Sequence, residues 1–445
     1  MSNDILIINS TILPLSQNGA ELIENGFISI KDGAISALGP MAELPDSSMA
    51  EKIIDATGQL TMPGLVNTHT HAPMTLFRGL ADDLNLMTWL NEHIFPAEAK
   101  SVKKEMVYWC SKLAAAEMIL AGTTTVADGY FLEDNVGEAF IDCGIRSVVA
   151  QGVIDFPAPG VPDPAQNVAM AAHFIDRWQA KNKLITPAVF CHSPYTCSPD
   201  TLKRSKEMAR LKDAMLFIHL AETRTEVKQI QEQHNTTPLR YLDSLGILDK
   251  DTLCVHCVWL EEEEIEILAK SGAKVSTCPQ SNMKLGSGIA PLKKMLAAGI
   301  SVGLGTDGCA SNNTLDLFSE MNLCARLHKV KDPDPTALPA KAVLEMATIG
   351  GASVLGLADD IGSLSPGKKA DIILLNLMQP HLQPFCHPDL LVYSASGADV
   401  SSVIINGKLV MEDRKILTFD VDRTMAEVRK LAEGLQEDSL KRGQI

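Results

Sequence analysis

Hydrophobic and polar residues follow two different patterns along the 445-residue chain. Near both ends, short apolar runs are separated by turn signals such as Lys31-Asp32-Gly33 and Asn406-Gly407, which is typical of β-hairpins. In the middle, apolar runs alternate with stretches of helical periodicity, which is typical of β/α units around a parallel sheet. The pattern predicts an α/β protein with a small β-domain built from both chain ends.

Eight apolar runs in the middle of the chain are predicted strands, and eight β/α units indicate a TIM barrel. These runs cover residues 65–71, 123–130, 146–154, 185–194, 214–223, 252–260, 273–282 and 300–308. We therefore predict a (β/α)₈ barrel over residues 61–364 and a small β-sandwich from residues 1–60 and 365–420. Residues 421–445 have the charged, leucine-spaced pattern of a surface helix.

Residues able to carry chemistry collect at the carboxyl ends of the predicted strands, where barrel enzymes hold their active sites. Taken singly, each has an ordinary structural explanation, such as a turn-forming aspartate in GTDG. Histidines scattered through a core would have no reason to collect at one face of a barrel. The candidates are His69 and His71 on the first strand, His192 on the fourth, His219 and Glu222 on the fifth, His256 on the sixth and Asp307 on the eighth.

Three imidazoles and one carboxylate, from His69, His71, His219 and Asp307, form a set that suits Zn²⁺ and tolerates Fe²⁺. Water on such a cation loses its proton near neutral pH and becomes a hydroxide nucleophile. Asp307 can also take that proton. A second metal usually needs a further bridging anion, and the fourth strand offers no lysine, so we expect one metal.

Two further residues are predicted to act beside the metal. Glu222, three residues beyond His219 in HLAET, is expected at a strand-to-helix turn and is predicted to be the general acid/base. His256 is predicted to polarise the nucleophile or the substrate, and a structural histidine flanked by Val255 and Cys257 is the alternative.

Composition and charge exclude several functional classes. The formal net charge of −16, without a lysine or arginine block, argues against binding of nucleic acid. No apolar stretch approaches the length of a membrane span, and the start of the chain, MSNDILIINSTILP, has no basic leader. Ten cysteines in a long chain do not suggest a disulfide framework, so a cytoplasmic location is expected.

The motifs PGLVNTHTH, HLAET, VHC and GTDG, in this order, resemble the amidohydrolase superfamily over nearly the whole chain. Residues 73–100 and 191–198 are similar to the branch that deaminates 5′-methylthioadenosine and S-adenosylhomocysteine. The resemblance implies a (β/α)₈ barrel with a small β-sandwich and one divalent metal. It also implies a homo-oligomer and a small purine nucleoside as substrate.

The resemblance assigns roles that spacing alone does not. Glu98 would accept hydrogen bonds from the ribose hydroxyls, although its sequence surroundings alone indicate a solvated helix residue. His192 would contact the nucleoside, and Trp89 could form an apolar wall near the 5′ thioether, with core packing as the alternative. Hydroxide would attack C6 of adenine while Glu222 protonates N1, and Asp307 would carry the water proton toward the departing ammonia.

One stretch departs from the branch. Members of the branch can hold the amino-acid carboxylate of S-adenosylhomocysteine with arginines near the third strand. The corresponding stretch of this chain, GVIDFPAPGVPDPAQN, contains no arginine. Arg146 precedes its strand and is expected at the opposite end of the barrel. This departure favours methylthioadenosine or adenosine. The alternatives are another amidohydrolase, such as guanine deaminase or triazine chlorohydrolase, and a non-catalytic scaffold. Glu222 argues against hydrolases that need no ring-nitrogen acid, and Glu98 argues for a ribose.

Overall fold

The computed structural model describes residues 3–15, 22–45 and 49–441. Its strands form an eight-stranded parallel sheet and a nine-stranded mixed sheet. The strands in chain order are β1 Asn3–Ile12, β2 Ile23–Lys31, β3 Ala34–Pro40, β4 Ala50–Asp55, β5 Gln59–Pro63, β6 Leu65–Thr70, β7 Thr123–Tyr130, β8 Arg146–Val153, β9 Ile185–Cys191, β10 Leu216–Leu220, β11 Thr252–His256, β12 Lys274–Thr277, β13 Val302–Leu304, β14 Ile372–Asn376, β15 Val400–Ile405, β16 Lys408–Glu412 and β17 Lys415–Ile416.

Helices separate the strands of the parallel sheet and follow the last strand of the mixed sheet. They are α1 Leu86–Thr88, α2 Phe95–Ser101, α3 Lys104–Leu120, α4 Glu133–Cys143, α5 Asn167–Trp178, α6 Pro199–Leu211, α7 Arg224–His234, α8 Pro238–Ser244, α9 Glu262–Ser271, α10 Pro279–Lys284, α11 Leu292–Ala297, α12 Leu317–Lys331, α13 Ala340–Met346, α14 Ile349–Val354, α15 Asp389–Tyr393 and α16 Val421–Lys441. Among the helices that the structure describes, none is both long enough and apolar enough to cross a bilayer.

The parallel sheet runs in the order β6 to β13 and forms the predicted barrel. All eight predicted strands are present, although some are shorter than their apolar runs. The seventh run ends early because Pro279 begins α10, where the fixed φ of proline suits the first turn of a helix. Every residue of β7 and of β8 is buried, as expected for strands covered by helices outside and packed side chains inside.

The barrel closes where the segment after β13 meets β6. The amide N–H of Asp307 donates to the carbonyl oxygen of His69 at 3.0 Å. A Cβ atom added at Gly303 would lie 2.5 Å from Cγ2 of Thr68 and 2.8 Å from Cγ2 of Val354, so a side chain there would force these neighbours to shift. Closure therefore brings the eighth strand against the first.

The mixed sheet is built from both ends of the chain, in the order β17-β16-β15-β14-β5-β1-β2-β3, with β4 beside β1. Its centre is the antiparallel pair of β5 and β14, in which Met62 opposes Ile373. It has a separate apolar core that includes Ile7, Ile28 and Ile372. Of the two domain boundaries that we propose, the one after residue 60 falls within β5, and the one after residue 364 falls shortly before β14.

A buried ion pair joins the two sheets at the end of the barrel where β8 begins. The guanidinium of Arg146 donates to both carboxylate oxygens of Asp371, from Nε at 2.6 Å and from Nη2 at 3.0 Å. Oδ1 of Asp371 also accepts the N–H of Asn406 at 2.7 Å. Arg146 therefore lies at the amino end of its strand, as the sequence predicted, and acts in structure rather than in binding.

We expect Arg146→Met to lower the free energy of unfolding by about 3 kcal/mol, because it leaves the Asp371 carboxylate buried without its partner. Thermal unfolding of the two proteins measures the difference. The matched control is Arg177→Met, which removes an ion pair to Asp134 whose two side chains are 49% and 43% exposed. That variant should change stability by less than about 1 kcal/mol. Equal losses in the two variants would contradict the structural role of Arg146.

Candidate metal centre and substrate pocket

The predicted metal ligands converge at the carboxyl end of the barrel. Ligand atoms of His69, His71 and His219 all lie within 4.8 Å of one another. Nε2 of His69 is 3.3 Å from Nε2 of His219. Oδ1 of Asp307 is 3.4 Å from Nε2 of both His69 and His71. Ligand atoms that each lie about 2.0–2.1 Å from one zinc ion are about 3–4 Å apart, so the separations of 3.3 and 3.4 Å suit a shared ion.

Backbone geometry aims these side chains. His69 and His71 are two residues apart at the end of β6, so the pleat directs them to one side. Asp307 and His256 have φ angles of 62° and 74°, in the left-handed region that residues with a Cβ seldom adopt. Such conformations at strand exits turn the two side chains out of the regular pleat and toward the imidazoles.

A shell of neighbours orients the candidate ligands. Nδ1 of His71 donates to the carbonyl oxygen of Gly129 at 2.5 Å, which leaves Nε2 free as a ligand atom. Oδ2 of Asp307 accepts hydrogen bonds from Ser281 at 2.6 Å and from Ser311 at 2.8 Å. Sequence reasoning missed both serines because nothing in the local pattern around Ser281 or Ser311 indicates that the side chain reaches Asp307.

Burial sets the protonation state of the histidines. It lowers the pKa of His69 to about 4 and the pKa of His192 to about 3. The pKa values of His71 and His219 are lowered as well, again mainly by burial. The imidazoles are therefore neutral at pH 7, with lone pairs available to a cation.

The predicted general acid/base, Glu222, and the predicted polarising residue, His256, face each other beside the ligands. Nε2 of His256 is 3.9 Å from Oε2 of Glu222. Ser287 donates to Oε1 of Glu222 at 3.1 Å, and Nδ1 of His256 donates to Oδ1 of Asn282 at 3.0 Å. Burial raises the pKa of Glu222, so its carboxyl group keeps a proton at higher pH than a solvated glutamate does.

One cavity of about 600 Å³ connects the ligand set with the predicted substrate residues. Its lining includes Glu222, His256 and Asp307 as well as the three residues predicted to contact substrate, Glu98, His192 and Trp89. His69 does not line the cavity, but its Nε2 lies 3.3 Å from that of His219, which does. The structure thus brings every predicted site residue into or next to a single pocket, and their roles stay predictions.

Glu98 is buried rather than solvated, with 7% of its surface exposed. Its Oε1 accepts a hydrogen bond from the hydroxyl of Tyr130 at 2.5 Å. Burial raises the pKa of Glu98 to about 7, and the Tyr130 hydrogen bond opposes that rise. Periodicity along α2 did not reveal this burial, because the neighbours that cover Glu98 come from other segments.

The far wall of the cavity is apolar and carries no positive charge. Phe95 and Phe156 lie edge to face with ring centroids 5.9 Å apart. The segment after Phe156 is a tight turn in which Ala158 and Val161 exchange backbone hydrogen bonds of 3.1 and 2.9 Å. Neither lysine nor arginine occurs among the residues that line this cavity.

Comparison with known proteins gives a consistent set of relatives. Residues 60–410 match the family described as the amidohydrolase family. The chain is 46% identical over 430 residues to a 5-methylthioadenosine/S-adenosylhomocysteine deaminase of Syntrophobacter fumaroxidans, which covers 96% of this chain and 98% of that protein. It is 44% identical over 436 residues to a 5′-deoxyadenosine deaminase of Methanosarcina mazei, with 97% and 98% covered.

Among solved structures, an adenosine deaminase from Xanthomonas campestris with bound zinc superimposes with a TM-score of 0.95. The two chains share 36% identity, and the match covers 98% of this chain and 99% of the other. The likeness therefore extends over both sheets.

The buried carboxyl group of Glu98 gives a pH-dependent prediction. The unfolded chain releases its proton near pH 4.5, whereas the folded protein holds it until about pH 7. Glu98 therefore lowers stability increasingly as pH rises from 4.5 to about 7, and the full cost is present above that pH. We expect Glu98→Gln to raise the free energy of unfolding by about 2 kcal/mol at pH 8 and to give no gain at pH 4.5.

Unfolding curves of wild type and variant at pH 4.5 and pH 8 measure this difference. Glu92→Gln, at an exposed position just before α2, is the matched control and should change stability by less than about 0.5 kcal/mol at both pH values. If Glu98→Gln were less stable than wild type at pH 8, the buried, ionised Glu98 would not lower the free energy of unfolding, and the prediction would be wrong.

Proposed function

Because the chain belongs to the amidohydrolase family, we propose that it is a metal-dependent deaminase of adenine nucleosides. The substrates that we propose are 5′-methylthioadenosine, adenosine and related 5′-substituted adenosines, and the products are the inosine analogue and ammonia. The observation that carries this proposal is a single pocket in which a buried Glu222 faces the His69, His71, His219 and Asp307 cluster, with Glu98 in the same lining.

His69, His71, His219 and Asp307 would hold one divalent cation. Neutral imidazoles and a carboxylate at the observed spacing suit Zn²⁺, which the Xanthomonas relative binds, and they also suit Fe²⁺. When bound, such a cation supplies a hydroxide nucleophile near neutral pH and stabilises developing negative charge. Zinc is our first choice.

The chain's own residues would move the protons. Glu222, whose pKa is raised by burial, would donate a proton to N1 of the adenine ring and make C6 electrophilic. A C6–O bond forms and the C6–N bond breaks, while Asp307 passes a proton from the attacking water to the departing amine. The second proton of the water leaves the C6 oxygen as the carbonyl forms and returns to Glu222, so that one water is consumed, one ammonia leaves and the acid is regenerated. His256, oriented by Asn282, polarises the attacking oxygen or the ring.

The rest of the pocket would hold the nucleoside. Glu98, oriented by Tyr130, accepts hydrogen bonds from the ribose hydroxyls, and His192 contacts the nucleoside. Trp89 and the apolar wall receive the 5′ substituent. Guanine deaminase and triazine chlorohydrolase activities would leave Glu98 unused, and a non-catalytic scaffold would leave the whole ligand set unused.

Location and assembly are further proposals. The structure gives ten free cysteines, nine buried and Cys386 exposed, and free thiols suit a reducing compartment such as the cytoplasm. A homo-oligomer is proposed from the family resemblance alone, and a sizing column that shows a monomer ends that idea.

A nucleoside panel tests the activity. Zinc-loaded protein should convert methylthioadenosine and adenosine to inosine analogues, followed by the ultraviolet change from adenine to hypoxanthine. Chelation should lower turnover by at least about 10³-fold, and added Zn²⁺ or Fe²⁺ should restore it. Guanine and atrazine serve as controls for the rival activities. Full turnover without metal, or action on the controls alone, would contradict the proposal.

The apolar wall gives a prediction about the 5′ substituent. S-adenosylhomocysteine should have a kcat/KM at least about tenfold below that of methylthioadenosine, because its charged amino-acid group would lose water without gaining a cationic partner. Phe156 is 38% exposed, so an arginine there can keep its charge hydrated. Phe156→Arg should raise the ratio of the two kcat/KM values severalfold in favour of S-adenosylhomocysteine, and Phe156→Ala should not. Equal use of both substrates by the wild type would contradict this assignment.

A further inference from the structure

Glu226 is a buried glutamate that the chemistry described above does not use. It lies in the first turn of α7 with 4% of its surface exposed. Its Oε1 accepts the N–H of Ala221 and its Oε2 accepts the N–H of Glu222, both at 2.8 Å. Both carboxylate oxygens are thus occupied by two successive amides, one of which belongs to the proposed acid.

The turn at Ala221 and Glu222, which Glu226 holds, has a strained backbone. Ala221 has a φ of 50°, in the left-handed region that disfavours residues with a Cβ by about 1 kcal/mol. Its carbonyl oxygen accepts the N–H groups of Val258 and Trp259 at 3.1 and 2.9 Å. The turn is therefore held by the Glu226 carboxylate on one side and by the segment that follows β11 on the other.

These hydrogen bonds around Ala221 also fix Glu222 and His256 relative to each other. Cys257, next to His256, donates its N–H to the carbonyl oxygen of Leu220 at 3.0 Å. The exits of β10 and β11 are consequently tied together at the turn. A shift of that turn would change the 3.9 Å separation between Glu222 and His256.

We propose that Glu226 is a positioning residue that holds the Ala221–Glu222 peptide so that the Glu222 carboxyl group meets the substrate ring. The inference rests on the proposed function, in which Glu222 is the proton donor. Glu226 is not among the residues that line the cavity, and its side chain accepts from the amides of Ala221 and Glu222, so we infer that its effect on the reaction passes through Glu222.

Glutamine is the informative replacement. Glu226→Gln keeps the shape of the side chain but offers one acceptor oxygen and places an NH₂ donor opposite the second amide N–H. We expect kcat to fall about 10- to 100-fold, with KM changed less than about twofold and metal content unchanged. Glu226→Asp keeps both acceptor oxygens on a shorter side chain and should retain more activity than Glu226→Gln. If Glu226→Gln does not fold, the same kinetic measurements are made on Glu226→Asp.

Glu264→Gln is the matched control. Glu264 is likewise a buried first-turn glutamate, 1% exposed, and its Oε2 accepts the N–H of Glu261 at 2.8 Å at the start of α9. Its substitution should leave kcat within about twofold of wild type, whatever it does to stability.

A double-mutant cycle separates positioning from general damage. Glu222→Gln alone should lower kcat by about 10³-fold. Adding Glu226→Gln to that variant should lower kcat less than about twofold further, because the group through which Glu226 acts is already gone. If the loss of kcat in the double variant equals the product of the losses in the two single variants, the inference is wrong. A Glu226→Gln variant with wild-type kcat would also overturn it.

Hydrogen exchange provides a readout that does not depend on activity. Peptides that cover residues 216–226 should exchange their amides faster in Glu226→Gln than in wild type, and Glu264→Gln should not change them. Unchanged exchange would show that Glu226 does not hold the turn. Should the wild type deaminate no adenosine derivative, the proposed function fails, while the exchange measurement still decides whether Glu226 fixes the Ala221–Glu222 peptide.

Discussion

The contact between the first and last strands of the barrel is the constraint on which the site depends. The Asp307 amide donates to the His69 carbonyl oxygen at 3.0 Å, and this hydrogen bond places a carboxylate beside two imidazoles that arise some 240 residues earlier in the chain. Gly303 permits the approach because any side chain there would collide with Thr68. Without closure, His69 and His71 would be two polar side chains at the edge of an open sheet.

Burial makes the site reactive, and a surrounding set of polar neighbours keeps it ordered. Desolvation keeps the imidazoles neutral, which is the state that a cation needs, and it raises the pKa of the Glu222 carboxyl group, which favours its protonated form. Asn282 orients His256, Ser287 contacts Glu222, and Glu226 holds the peptide from which Glu222 projects. Reactivity and order therefore come from different shells of residues.

Much of this could be read from the chain alone. Apolar runs separated by helical periodicity gave the eight barrel strands, because a strand buried on both faces must be apolar along its length. Spacing by two residues put His69 and His71 on one side, and the carboxyl ends of strands indicated where His219 and Asp307 would meet them. The strand ends were less predictable, as Pro279 shows, because a proline can begin a helix inside an apolar run.

The tertiary structure decided which polar residues are buried and what they bond. Glu98 has the sequence surroundings of a solvated helix residue, yet the fold covers it and pairs it with Tyr130. The left-handed backbone at Ala221, and the carboxylate that holds it, likewise leave no mark in a local pattern. Periodicity reports the environment of a residue along its own helix or strand. Burial and hydrogen-bond partners depend on which other segments the closed barrel brings beside it, and only the assembled chain determines those.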